Sequence, residues 1–425
     1  MKIASAPRSL SPEARLLLLS AGGSDNDPEI ASLLGAGIDW PRLAWLADWE
    51  NAGPVLWQRL CEVAPDRLSG ESGSLRQLAM VGAFRVRQIE SRLGEVVARL
   101  DAEGMPVMLL KGAALASTVY PTFASRPMSD IDLLLHSEQA HRARALLTQW
   151  GWRSEGPDSL DEVYGNYHHL RPLRDVRRTG VSLELHTALF PPGHPFRIPL
   201  ADFERDGLPI VVGGHSVYVL PPALQLLHTC LHLAWSHILE EEGSWRTFRD
   251  IAAITSGMFE WDDFIDLARD SRGATACYWP LRLARTLSGI HVPPDVLRLL
   301  RPPHSAYLLN RLETHYSHHL MPGEFICPSA TVRYRLWQIG MSPKKSGYGS
   351  ARPWKTLIER FKMLGDSQSS PDTVARRALR QARYMGSWAR YLRTVLVRPR
   401  GHRRDDRAGI PQVRRSGRSL DGGRS

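Results

Sequence analysis

The stretch Leu109-Leu110-Lys111-Gly112, followed eighteen positions after the glycine by Asp130-Ile131-Asp132-Leu133-Leu134-Leu135, decides how this chain is read. Residues i and i+2 of a strand share a face, so Asp130 and Asp132 point one way while Ile131, Leu133 and Leu135 point into a core. Two carboxylates in an otherwise apolar strand are costly to bury unless a cation sits between them, and Mg²⁺ is the usual one. The spacing predicts a metal clamp.

The neighbouring segments extend that reading. Residues 106–110 form a short apolar run that reads as a buried strand, and residues 112–120 read as the helix it feeds. A helix N-terminus with a close-approaching glycine suits phosphate oxygens, which assigns Lys111 and Gly112 to nucleotide binding. Arg126, four residues before Asp130, is placed to clamp the same phosphates from the other side. Residues 167–173 and 181–186 read as an antiparallel pair around Thr179-Gly180. In Ser182-Leu183-Glu184-Leu185-His186, alternation sets Glu184 and His186 opposite the apolar leucines, and Glu184 is the best third carboxylate. Metal-assisted nucleotidyl transfer needs carboxylates for one or two Mg²⁺, donors for a triphosphate and a slot for an acceptor. The first two are filled here.

These residues resemble the uncharacterised nucleotidyltransferase family of the DNA polymerase β superfamily. The likeness is carried by Leu110-Lys111-Gly112, Arg126-x-x-x-Asp130-Ile131-Asp132, Tyr167-His168-His169-Leu170 and Glu184-Leu185-His186. It extends to Asp39-Trp40 and Leu43-Ala44-x-x-Ala47 before the core and to the region from Leu227-His228 to Asp250-Ile251 after it, covering residues 35–300. The resemblance implies an α+β fold with a small mixed sheet, Mg²⁺ (or Mn²⁺) on Asp130, Asp132 and Glu184, and an NTP, with ATP expected, as substrate. The acceptor it leaves open: a peptide, a protein or a small molecule. The chain departs from the superfamily's Gly-Gly or Gly-Ser phosphate turn, since Lys111-Gly112-Ala113 supplies no hydroxyl. His186, and one of His168 and His169 because neighbours in a strand alternate, are assigned to the acceptor side or to support of the metal ligands.

Around this core the sequence divides into six parts. Residues 1–30, rich in Ser, Gly, Pro and Asp, predict a poorly ordered lead-in. Residues 31–103 predict helices packing on the core, among them one capped by Asp39 with Pro41 in its first turn and a long amphipathic one over 75–100. Residues 104–200 are the α+β core, and 201–320 a mostly helical domain. A loop-rich region with a basic amphipathic helix follows over 321–397, then an Arg-rich tail over 398–425 expected to be disordered. Trp245, Arg249 and Asp250 read as fixtures of the helical bundle, as do His228 and His232, whose i, i+4 spacing lacks the glutamate of a zinc motif.

Bulk composition narrows the classes. No apolar run reaches the roughly 20 residues of a membrane span, and the chain is read as cytoplasmic. Cys61, Cys230, Cys277 and Cys327 lie far apart with no C-x-x-C pair, against both a zinc site and a disulfide framework. Of the net charge of +10, the tail from Arg398 contributes nine Arg against three Asp, or +6, leaving +4 on the other 397 residues. The basic end is therefore read as a solvated or docked segment in preference to a nucleic-acid or anionic-membrane contact. The rival to an enzyme is an inactive member of the fold that binds partners through its helical domain and Arg-rich end. Three filled acidic positions favour the enzyme.

Overall fold

The computed structural model describes residues 10–341 apart from 69, 157–159, 166, 177–179, 238–242 and 323–335. The candidate helix over 373–397, the Arg-rich tail and Cys327 lie outside the described residues.

Seven strands form one mixed sheet: β1 Met108–Leu109, β2 Asp130–Leu134, β3 Trp152–Ser154, β4 Leu173–Asp175, β5 Ser182–His186, β6 Leu208–Val212 and β7 His215–Val219, in the order β3-β4-β5-β2-β1-β7-β6. The centre is the parallel pair β2 and β5, with β1 antiparallel to β2 on the other side. The predicted α+β class with a mixed sheet and flanking helices is what the structure has. One face of the sheet is closed by Ile131, Leu133, Leu135, Leu183 and Leu185, which pack on the helix Ser137–Gln149 and on the second half of the helix Gly73–Ala102. That long helix ends at Gly104, whose φ of 66° turns the chain back into β1.

Two boundaries differ from the sequence reading. The helical domain expected from residue 201 opens with one short helical turn, Phe203–Asp206, and then β6 and β7, a hairpin turning through Gly213-Gly214, both at positive φ. β7 pairs in parallel with β1, so the sheet continues to residue 219 before the helices start. Short strands of mixed burial carry a weak periodic signal, which is why these, and β3, were not predicted.

The lead-in is also corrected. Residues 10–30 carry the helix Pro12–Leu19 and the start of Asp27–Gly35, with Leu16, Leu17, Leu18 and Ile30 completely buried. Their partners are distant in sequence: Trp245 Nε1 donates to Ser20 Oγ at 3.0 Å, and Asn26 Nδ2 donates to the carbonyls of Leu19 and Ser288 at 2.8 and 2.9 Å. A loop-like composition hid an apolar face that finds its cover more than 200 residues later. The N-terminal helices and those from Pro222–His232 to Ala306–His318 thus share one hydrophobic core. No described helix is long and apolar enough to cross a membrane.

Leu17→Ala is expected to cost about 2–5 kcal/mol, seen as a lower denaturation midpoint by circular dichroism, where a solvated lead-in would show no change.

Candidate active site

Parallel pairing of β2 with β5 sets Asp130 opposite Ser182, Asp132 opposite Glu184 and Leu134 opposite His186. The carboxylates of two strands therefore meet on one face without any bend in either chain. Lys111 opens the helix Lys111–Thr118 directly after β1, with φ of 46°, a conformation unfavourable to a side chain with a Cβ and found where surrounding structure imposes it. From there its Nζ reaches Asp132 Oδ1 at 2.8 Å and Glu184 Oε2 at 3.9 Å. His186 Nε2 donates to the same Asp132 oxygen at 2.9 Å and lies 3.4 Å from Glu184 Oε2.

Burial opposes charge on every one of these groups, and their neighbours decide the outcome. For Lys111 the surrounding Asp132, Glu184 and Asp130 outweigh burial and raise its pKa above the ordinary lysine value. Asp132 is likewise buried, yet Lys111 and the His186 hydrogen bond hold its carboxyl well below the usual carboxylate range. Glu184 is lowered against its own burial, chiefly by His186. Asp130 goes the other way: burial, then the charges of Asp132 and Glu184, push it up to about 6. His186 is raised, against burial and Lys111, by its bonds to the two carboxylates.

The donor set fits a divalent cation. Asp132, Glu184 and His186 each offer a ligand atom, and the three atoms lie within 4.8 Å of one another. Asp130 adjoins them with a carboxylate that the protein alone leaves under-compensated. Oxygen-rich donors with one imidazole suit Mg²⁺ or Mn²⁺.

With that geometry in view, the sequence profile described as an uncharacterised nucleotidyltransferase matches residues 36–289, more than half of the chain. The protein belongs to that nucleotidyltransferase family. A comparison with curated proteins gives no match.

In this member of the family the other expected site residues are distributed differently. Arg126 does not hold its fork open to a phosphate: its Nε and Nη2 donate to Asp250 Oδ1 and Oδ2 at 2.8 and 2.7 Å, and its Nη1 donates to the Pro127 carbonyl. Asp250 also accepts from Tyr120 Oη at 2.8 Å. The sequence places Arg126 near Asp130 correctly, but a carboxylate from the helix Ser244–Ile254 claims it. Gly112 is buried, and a Cβ there would meet Met128 and Arg126 Nη1 at 3.3 and 3.4 Å, so the turn is closely packed against both.

The alternation expected of His168 and His169 does not hold. Residue 169 makes only an isolated bridge to His186, not a strand, and both rings lie beside the His186 ring, with centroids 5.2 and 5.1 Å away. Burial lowers the pKa of both, far below the usual histidine range for His168. His228 is packed edge-on against Phe190 and lowered to about 3 by burial and by Lys111.

His186, expected from its place two residues beyond Glu184 to support the acidic residues or to face the acceptor, bonds directly to Asp132. Sequence reasoning read Asp250 as a bundle fixture without its partner, since nothing local links residues 126 and 250.

Two outcomes follow from this geometry. Asp250→Ala strands a buried guanidinium and is expected to cost roughly 3–5 kcal/mol, read as a fall in the urea midpoint. Asp130, with its pKa raised on folding, contributes stability that is present below the unfolded value of 3.8 and lost as pH rises through about 6. Asp130→Asn should therefore raise the melting temperature of metal-free protein at pH 7.5 and leave it nearly unchanged at pH 4.

Proposed function

We propose that this protein transfers a nucleoside monophosphate from a Mg²⁺- or Mn²⁺-bound NTP, with ATP the expected nucleotide, to a hydroxyl or other nucleophile on a peptide, protein or small molecule. The observation that carries the proposal is the opposition of Asp132 and Glu184 across parallel strands, with Asp130 on the same face, in a chain of a nucleotidyltransferase family.

In this reading Asp130, Asp132 and Glu184 would hold the cations, and His186 keeps Asp132 and Glu184 in place through one ring nitrogen. The bound ions supply Lewis-acid polarisation and neutralise charge on the phosphates. Lys111, whose Nζ lies 2.8 Å from Asp132 Oδ1 on a flexible stem, would donate to a phosphate oxygen held beside that carboxylate. The turn at Lys111-Gly112 is held against Met128 and Arg126, so the ammonium starts from a defined point. Glu184, kept ionised by its neighbours, accepts a hydrogen bond from the acceptor hydroxyl and then its proton. The acceptor oxygen bonds to the α-phosphorus as the bond from that phosphorus to the β-phosphate's bridging oxygen breaks, and pyrophosphate leaves. Arg126 serves the reaction through Asp250, by fixing the chain that leads into Asp130.

Incubation with Mg²⁺, a cell extract and either α- or γ-labelled NTP tests this reading. Acceptor labelling from the α-phosphate only, reduced by roughly 10³-fold or more in Asp130→Asn/Asp132→Asn, is the expected result. Labelling from the γ-phosphate alone would indicate a kinase, and absence of NTP binding would exclude the enzyme.

A further inference from the structure

The two cations that the sequence assigns to phosphate are both engaged with carboxylates, Lys111 with Asp132 and Arg126 with Asp250. A triphosphate needs a positive group that is near the cluster and not already paired. The helix Ser244–Ile254 provides one. Residues 246, 249 and 250 share a helix face by their i, i+3, i+4 spacing. Two of the three are seen to meet the catalytic half of the protein. Asp250 grips Arg126 and Tyr120, while Arg249 donates to the Ser125 carbonyl at 3.4 Å and its guanidinium lies 5.5 Å from the Tyr120 ring centroid. One turn back along the same face stands Arg246.

Arg126 and Asp130 are four residues apart on the segment that enters β2, and Asp250 and Arg246 are four residues apart on the helix. With Arg126 locked to Asp250, Arg246, on the same helix face, lies within electrostatic reach of Asp130, whose carboxyl feels its charge. Arg246 is half-buried, and no hydrogen bond or ion pair joins it to any described residue. A part-buried guanidinium within electrostatic reach of a proposed metal carboxylate, held on a helix that is itself clamped to the core, is pre-organised for an anion that bridges the two.

We infer that Arg246 binds the polyphosphate of the nucleotide, reaching it from the helical domain and doing what the sequence assigns to Arg126. The inference rests on the nucleotidyl-transfer reading above and adds the residue that recognises the leaving phosphates. It also gives Asp250 a purpose beyond stability: the Arg126–Asp250 pair registers the helix so that Arg246 faces the site.

Binding of α,β-methylene-ATP and of AMP, each with Mg²⁺, to the full chain tests it by calorimetry against Arg246→Ala and Arg246→Lys. Arg246→Ala is expected to weaken the triphosphate analogue about 10- to 100-fold, as for a lost charge-assisted bond, to weaken AMP much less, and to melt as the wild type does. Arg246→Lys should recover part of the loss, keeping the charge without the fork; it also serves as the test protein should the alanine variant fold poorly. Equal affinity of wild type and Arg246→Ala for the analogue would overturn the inference and leave nucleotidyl transfer standing. An equal loss for AMP and the analogue would overturn the assignment to the polyphosphate. No binding of either nucleotide by the wild type would overturn both.

Discussion

Three carboxylates crowd one face of the sheet, and the arrangement persists because the Lys111 ammonium sits 2.8 Å from Asp132 and 3.9 Å from Glu184. Without a cation there, burying Asp132 in the centre of a seven-stranded sheet would cost several kcal/mol. The strained backbone of Lys111 is the local cost of delivering that charge from the turn after β1. Compensation is incomplete, and Asp130 carries the remainder as a raised pKa. A site that keeps its own lysine among its carboxylates, and still leaves one of them reluctant to ionise, is built to receive more positive charge.

A second pair organises the protein on a larger scale. Arg126 and Asp250 are both buried, joined by two short hydrogen bonds, and come from the two halves of the molecule. Tyr120 completes the contact and Arg249 covers it, stacked over the rings of Tyr120 and Trp245. Trp245 in turn reaches Ser20 in the N-terminal helix region. The carboxylate-bearing face of the sheet, the helical domain and the N-terminal helices are therefore tied through one side of a single eleven-residue helix. Any shift of that helix would be felt at the entrance to β2.

Much of the site was legible before the fold was known, because its signals are local. Asp130 and Asp132 share a face by strand alternation, and Glu184 follows from the same rule applied to Leu183 and Leu185. Where the alternation rule was carried onto His168 and His169 it failed, since that segment bridges β5 at one residue without becoming a strand. The N-terminal leucines and the β6–β7 hairpin were misread because their partners, Ser288 and Trp245 in one case and β1 in the other, lie about 100 residues or more away.

Residue type and spacing alone determined that this chain carries a strand with two same-face aspartates, a Lys-Gly turn before it and a third acid after it, the pattern by which it resembles its family. Tertiary structure decided which charge meets which. It paired Lys111 with Asp132, handed Arg126 to Asp250, and brought His186 to Asp132 and Glu184. Periodicity can tell which way a side chain points from its own backbone. Only the register between β2 and β5, and between the β2 lead-in and a helix more than 100 residues later, can tell what it meets there.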